Sequence, residues 1–319
     1  MTTLAKTSAV RSLATQTSIR RKAMSYLARS WPLYVMVLPG LVLLLIFNYY
    51  PMYGIRIAFQ DYNPALGFDQ SPWVGLKHFE YMLKLPTFRL LFRNTLMLAI
   101  GKILFLQVTA IVLAFMLNEI RMRVFKRVFN QILYLPHFLS WVIVAGILLD
   151  LLSANGLVGR FLGGLGLNSF MFLGNAAFFP WTVIFSHVWK EAGWSTIIYL
   201  AALTAIDPQI SEAAAVDGAN RLQRIWYINL PGIAPTIALI ACLSLGGILD
   251  AGFEQIFNLY NPTVYATGDI LDTYVYRAGL ISARFSLATA IGLIKSTLGF
   301  VLITLAYWLA AKYANYRVF

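Results

Sequence analysis

Charged side chains are scarce in this sequence. Of its 319 residues, 12% are Asp, Glu, Lys or Arg, against about 25% in an ordinary soluble domain. So few cannot cover a globular surface with solvated groups, which argues against a soluble protein. Histidine is rarer still, with three residues and no His/Cys set at metal-ligand spacing, so no metal site is expected. A single cysteine, Cys242, excludes a disulfide within the chain; lying in an apolar run, it reads as a small buried hydrophobe. No GxxxxGK[ST] phosphate loop occurs, and Gly-rich runs such as Gly163-Gly164 lack the lysine. The chain is therefore expected to have no ATP site of its own and no cofactor.

What is present is apolar: 59% of the residues are hydrophobic. A membrane-crossing helix needs about 20 mostly apolar residues. Six segments qualify, at 32–51, 92–117, 132–152, 179–203, 233–252 and 287–311. The expected fold is an all-α, polytopic membrane protein with a tail at 1–30 and a membrane domain at 31–319. The tail carries Lys6, Arg11, Arg20, Arg21, Lys22 and Arg29 and no acid. It does not read as a signal peptide, because the following apolar run is too long and no small-residue cleavage site follows. Loops on the tail's side, including Arg121, Arg123, Lys126 and Arg127, hold roughly twice the basic residues of the opposite side, which predicts both termini in the cytoplasm. The net charge of +12 is then a cytoplasmic anchor and calls for no nucleic acid. On the other side, His78 reads as a solvated loop residue. Tyr260, Tyr265, Tyr274 and Tyr276 read as an interfacial aromatic belt or as a surface for an extracytoplasmic partner.

One internal stretch breaks the pattern. Residues 204–232 are polar and fall between the fourth and fifth apolar segments. Asp207 suits an N-cap and Pro208 the first helical position, and Gly218 suits a left-handed end. These signals predict a short helix over 208–217 and a second over 221–229, with Leu222, Ile225 and Trp226 on one side. Pro231 and Pro235 are expected to start the fifth span.

This stretch resembles the cytoplasmic loop of binding-protein-dependent ABC importer permeases. That motif is EAA, three residues, G, nine residues, I-x-LP. Here it is Glu212-Ala213-Ala214, Gly218, Ile228 and Leu230-Pro231. The sequences after the first and fifth spans, YPMYG, GFEQIFNLYNPTVY and DTYVYR, look like the branch that takes oligosaccharides and polysaccharide fragments, near the alginate importer's membrane subunits. The resemblance implies the type I importer permease fold, with six spans, in the bacterial inner membrane. It implies that the loop is a coupling helix on an ATPase subunit: Glu212 offers a charge, Ala213 and Ala214 a close-approach face, and Asp217 and Gly218 the turn. It also implies partners: a second permease chain, expected to differ from this one, two ATPases that bind ATP and Mg, and an extracytoplasmic solute-binding protein.

Within the spans, His187, Lys190 and Glu191 sit three and four residues apart, so they share one helix side. Ionisable groups at such depth suggest a pathway, with mutual neutralisation as the alternative. Gapless counting against the maltose importer's larger membrane subunit places its sugar contacts at these positions. The same counting implicates His137 and Trp141 in the third span and Gly247, Ile248 and Ala251 in the fifth. Asp250 and Glu254 are expected to add polarity at its outer end. Lys102 and Lys295 stand in spans without an assigned role. The competing reading is an integral membrane enzyme acting on lipid-linked sugars, with Asp207, Glu212 and Asp217 as its only acid cluster. A self-gated channel is a third.

Overall fold

The computed structural model describes residues 30–120, 122–153, 155–164 and 172–313. The basic tail, Arg121 of the basic cluster and the last residues from 314 lie outside these. The chain divides into two units, 1–56 and 57–319. The helix that begins the described chain, α1 (Ser30–Phe59), opens with a regular stretch. It widens to a π turn at Leu45–Tyr49 and tightens to a 3₁₀ turn from Tyr50. The π turn directly precedes Pro51, whose missing N–H and ring do not fit a regular ladder.

In the second unit, the main elements are α2 (Lys77–Lys84), α3 (Pro86–Glu119), α4 (Arg123–Tyr134), α5 (Trp141–Leu152), α6 (Phe179–Thr204), α7 (Pro208–Val216), α8 (Arg221–Gly246), α9 (Phe253–Leu259), α10 (Leu271–Tyr276) and α11 (Phe285–Tyr313). Among the described residues, extended pairing is limited to a lone Gln60–Trp73 bridge. With no water in a bilayer interior, a helix satisfies its own backbone, which is why an apolar chain takes this form.

Among the described residues, five helices are long and apolar enough to cross a membrane: α1, α3, the stretch Trp141–Leu162, α8 and Phe285–Trp308 of α11. Helix α6 has the length, at 26 residues, but Lys190 and Glu191 and several hydroxyl residues dilute its apolarity. Two expected boundaries are corrected. The segment 132–152 is not one helix: α4 ends at Tyr134, and Leu135–Phe138 forms a 3₁₀ turn containing Pro136. Leu139 is then extended, and α5 starts on Ser140, whose hydroxyl accepts from Ile143 N at 3.3 Å. Nor do Pro231 and Pro235 start the fifth span. Helix α8 begins at Arg221 and runs through them, using a π turn at Ile225–Asn229 to accommodate Pro231.

The central seam joins α3 to α6, and small residues bring them together. Ala99, Ala110 and Ala114 of α3 are buried, as are Ala192, Gly193 and Thr196 of α6; Thr196 Oγ1 donates to Ala110 O at 3.3 Å. The core around Leu98, Phe179, Val183, Ile184, Ile256 and Leu259 fills the half of this seam towards the start of α6. Tyr199, Leu203 and Ile233 close the half towards its end. Gly193 also admits α4: a Cβ there meets Leu133 O at 1.9 Å, an impossible contact with backbone. Gly193→Ala is therefore expected to destabilise the protein by at least the roughly 1–3 kcal/mol typical of overpacking. Gly292→Ala in α11, with nothing within 4 Å, serves as control. Thermal denaturation in detergent measures both; equal melting of the two variants refutes the close approach.

Candidate functional site

Two short contacts bring the sequence-flagged residues of α6 against the α4–α5 break. The break matters because it turns His137 and Trp141 toward α6. His137 Nδ1 lies 2.6 Å from Glu191 Oε2, and Lys190 Nζ donates to Glu191 Oε1 at 2.8 Å and to His137 O at 2.9 Å. Lys190 is buried, with its side chain 7% exposed, so a buried ammonium is answered by a carboxylate and a carbonyl. The charges at this depth are tied to one another. What remains open is aromatic. The His137 ring stacks on Trp194 at 4.6 Å, Trp141 stacks on His187 at 6.1 Å, and Lys190 Nζ stands 5.4 Å over the Trp141 ring. Trp189 and Trp194 are about half exposed. His187 also reaches a cavity of about 110 Å³, lined by Gln107, Ser195, Tyr199 and Ser244, between α3, α6 and α8. His137, Trp141, His187, Lys190 and Glu191 thus form one polar and aromatic cluster.

The other flagged positions lie apart from it in contacts. Helix α8 ends at Gly246, so Gly247, Ile248, Asp250 and Ala251 occupy a turn rather than a helix, and Gly252 is left-handed. Ile248 and Ala251 are buried in the core, while Gly247 and Asp250 are exposed. The turn is held by Lys102 of α3, whose Nζ donates to Ala251 O at 2.5 Å. Lys295 forms a two-pronged pair with Asp272 at 2.6 and 2.7 Å.

At the polar loop the structure matches the sequence reading closely. Asp207 Oδ1 accepts from Gln209 N at 3.0 Å, Pro208 opens α7, and Gly218 has φ +87°. Asn220 and Gln223 cap each other to start α8. Glu212, Ala213, Asp217 and Gly218 are exposed and Ala214 is partly so. Asp207 caps α7 and Asp217 ends it.

Sequence reading missed the organisation of the outer segments. Arg277 pairs with buried Asp269 through two parallel contacts, at 2.9 and 2.5 Å, and lies over the rings of Tyr265, Tyr260 and Tyr274. Tyr260, Tyr265 and Tyr274 thus surround a cation. The carboxylate and the Tyr260 hydroxyl hold the Arg277 pKa above its ordinary value despite burial. His78 is likewise not simply solvated, since its Nε2 lies 3.1 Å from Gln60 O and 3.3 Å from Asp61 Oδ1. The DTYVYR run holds Tyr274 and Arg277 of this set, but its aspartate is Asp272, and the paired Asp269 lies outside it.

Truncating one member of a buried ion pair costs more than removing both. Glu191→Leu is expected to lower the melting temperature clearly, and Lys190→Met with Glu191→Leu to regain most of the loss. A double variant no more stable than the single refutes the internal pairing.

A model of the family described as "binding-protein-dependent transport system inner membrane component" matches residues 107–315. The chain is 45% identical over 302 residues to the polygalacturonan/rhamnogalacturonan transport system permease protein YteP of Bacillus subtilis (strain 168), covering 94% of both. It is 41% identical over 297 residues to Protein LplB of the same organism, covering 93% of both. Among solved structures it resembles a bacterial ABC transporter involved in the import of the acidic polysaccharide alginate. There the TM-score is 0.84 at 40% identity, over 92% of this chain and 99% of that one. A structure of a bacterial alginate ABC transporter with an alginate pentasaccharide-bound periplasmic protein matches with a TM-score of 0.83 at 40% identity, over 90% and 96%.

Proposed function

The chain belongs to the binding-protein-dependent transport system inner membrane components, and we propose that within this family it imports fragments of an acidic polysaccharide. It is a multi-pass permease of the sugar and oligosaccharide ABC importers, a transporter rather than an enzyme. The acidic substrate is supported by relatives that handle polygalacturonan and alginate, polymers whose sugar units carry carboxylates.

In this reading α6 is also a span, the fourth of six and the one least apolar because it faces the pathway, and both termini are cytoplasmic in the bacterial inner membrane. A second, different permease chain completes the pathway. Sugar rings slide over the Trp141, His187 and Trp194 faces, with His137 beside them. Lys190 and Glu191 position His137 and offer polar edges to hydroxyls. Gly247, Ile248, Asp250 and Ala251 form the outer end of the pathway on the turn that Lys102 holds. With its charges internally answered, such a path binds weakly enough for release. An extracytoplasmic binding protein delivers the oligosaccharide above. Two ATPase subunits below bind ATP and Mg, whose hydrolysis supplies the free energy.

The observation that carries the coupling is the loop Pro208–Pro231. It is a capped, rigid helix with its Glu212-Ala213-Ala214 face solvent-exposed and a turn that only glycine makes easily. ATP binding draws the ATPases together and moves α7, and the permease pair opens outward; hydrolysis resets it.

A left-handed non-glycine residue costs roughly 1–2 kcal/mol. In the reconstituted complex with loaded binding protein, Gly218→Leu and Glu212→Ala are expected to reduce stimulated ATP hydrolysis and uptake together, with the complex still assembled. Variants that behave like wild type refute the coupling role.

A further inference from the structure

The segment after α1 and the turn into α11 enclose a cleft of about 390 Å³ on the outer side of the proposed topology. Its lining includes Asp61, Tyr62, His78, Tyr81, Arg284 and Ser286. The pathway and the coupling loop leave it unused. Its volume falls in the range of about 300–1,000 Å³ usual for small-molecule sites.

The walls are built rather than accidental. Tyr62 N donates to the Ser286 hydroxyl at 2.9 Å across more than 200 residues of sequence. The Tyr62 ring meets Phe68 at 5.3 Å and the edge of Phe285 at 6.1 Å. Arg284 is delivered by an unusual backbone: Ala283 has φ +54°, and Arg284 N donates to Ala278 O at 2.8 Å. Such a conformation in a residue with a side chain is uncommon and points to a constraint on where Arg284 is placed.

The electrostatics favour an anion. Asp61 is already bound by Lys77 Nζ at 2.6 Å and faces His78 Nε2 at 3.3 Å. The Lys77 ammonium holds its carboxyl below the ordinary aspartate range, so it stays ionised and paired. Arg284 is exposed, and no carboxylate among the described residues pairs with it. The cleft therefore presents an unanswered guanidinium, the group best suited to a planar carboxylate. Beside it stands the half-exposed ring of Tyr81, with Asp61 and His78 at hand as acceptor and donor for hydroxyls.

We propose that this cleft is a second, outer carbohydrate subsite that takes one carboxylated sugar unit. Arg284 pairs with its carboxylate, Tyr81 lies against its ring, and Asp61 and His78 bind its hydroxyls. The subsite selects acidic chains before they reach the aromatic cluster on α6. The proposal rests on the acidic-oligosaccharide reading above.

The test uses the full complex in detergent without binding protein, titrated calorimetrically with an alginate pentasaccharide and with maltopentaose as neutral control. Wild type is expected to bind the acidic probe and not the neutral one. Arg284→Gln is expected to weaken the acidic probe by about tenfold, the scale of one charge-assisted contact. Arg284→Lys, keeping charge without the fork, should fall between, and Tyr81→Ser should weaken binding with the charge intact. Uptake by the reconstituted system separates the two levels of inference. Equal uptake of both probes by wild type overturns the acidic reading. Selective acidic uptake with unchanged probe affinity in Arg284→Gln overturns the subsite alone. Unchanged sugar affinity combined with lost stimulation by the binding protein assigns the cleft to a protein carboxylate and likewise overturns it.

Discussion

A chain this apolar can keep a charge in its interior only where the chain itself answers it, and the architecture depends on that constraint. A lone ion in a medium without water carries a prohibitive desolvation penalty, and a paired one carries much less. Four answers recur here. Lys190 meets Glu191 and the His137 carbonyl, Lys102 meets the Ala251 carbonyl, Asp269 meets Arg277, and Lys295 meets Asp272. Most join elements far apart in the sequence. The charges fix which irregular segment docks on which helix, a choice that apolar contacts alone leave loosely defined.

Irregular segments are where transport chemistry is to be found, since a helix surrounded by lipid exposes no backbone. The break between α4 and α5 and the turn after α8 are both held by lysines on neighbouring helices, Lys190 and Lys102. The hydrogen bonds of Asn94 to Ala266 O and Asp269 O, and of Leu271 N to the Thr95 hydroxyl, anchor the outer segment to α3 in the same manner. With its cations committed in this way, the α6 cluster presents mainly ring faces.

Much of this was legible in the sequence, for identifiable reasons. The cap at Asp207, the left-handed Gly218 and the polar patch on α6 come from local rules of three- and four-residue reach, and the structure has all three. The joining of His137 and Trp141 to that patch needed a family resemblance, because no local rule connects residues about fifty positions apart. Proline was misread twice. Pro136 interrupts where an unbroken span was expected, and Pro231 interrupts nothing. The difference is the π turn at Ile225–Asn229, which absorbs the missing N–H and which no single-residue propensity signals. The Asp269–Arg277 pair and the Arg284 cleft were hidden because their meaning lies in tertiary proximity to tyrosines and to the segment after α1.

The continuity of α8 has a mechanical consequence. Had Pro231 begun a new helix, a joint would have separated the polar loop from the rest of α8. Instead the helix that starts three residues after Gly218, on the Asn220–Gln223 cap, runs unbroken to Gly246, and its end carries the turn that Lys102 grips. Arg224 reaches back to the Ser211 hydroxyl on α7 at 3.4 Å, and Arg221 stands 4.0 Å from Glu119 at the end of α3. Helix α7 is therefore tied to a lever of 26 residues, about 39 Å at 1.5 Å per residue. That is long enough to carry a push from one side of a bilayer to the other. The two prolines set the course of that lever without dividing it. The polar loop and the turn after Gly246 are thus joined by one continuous helix.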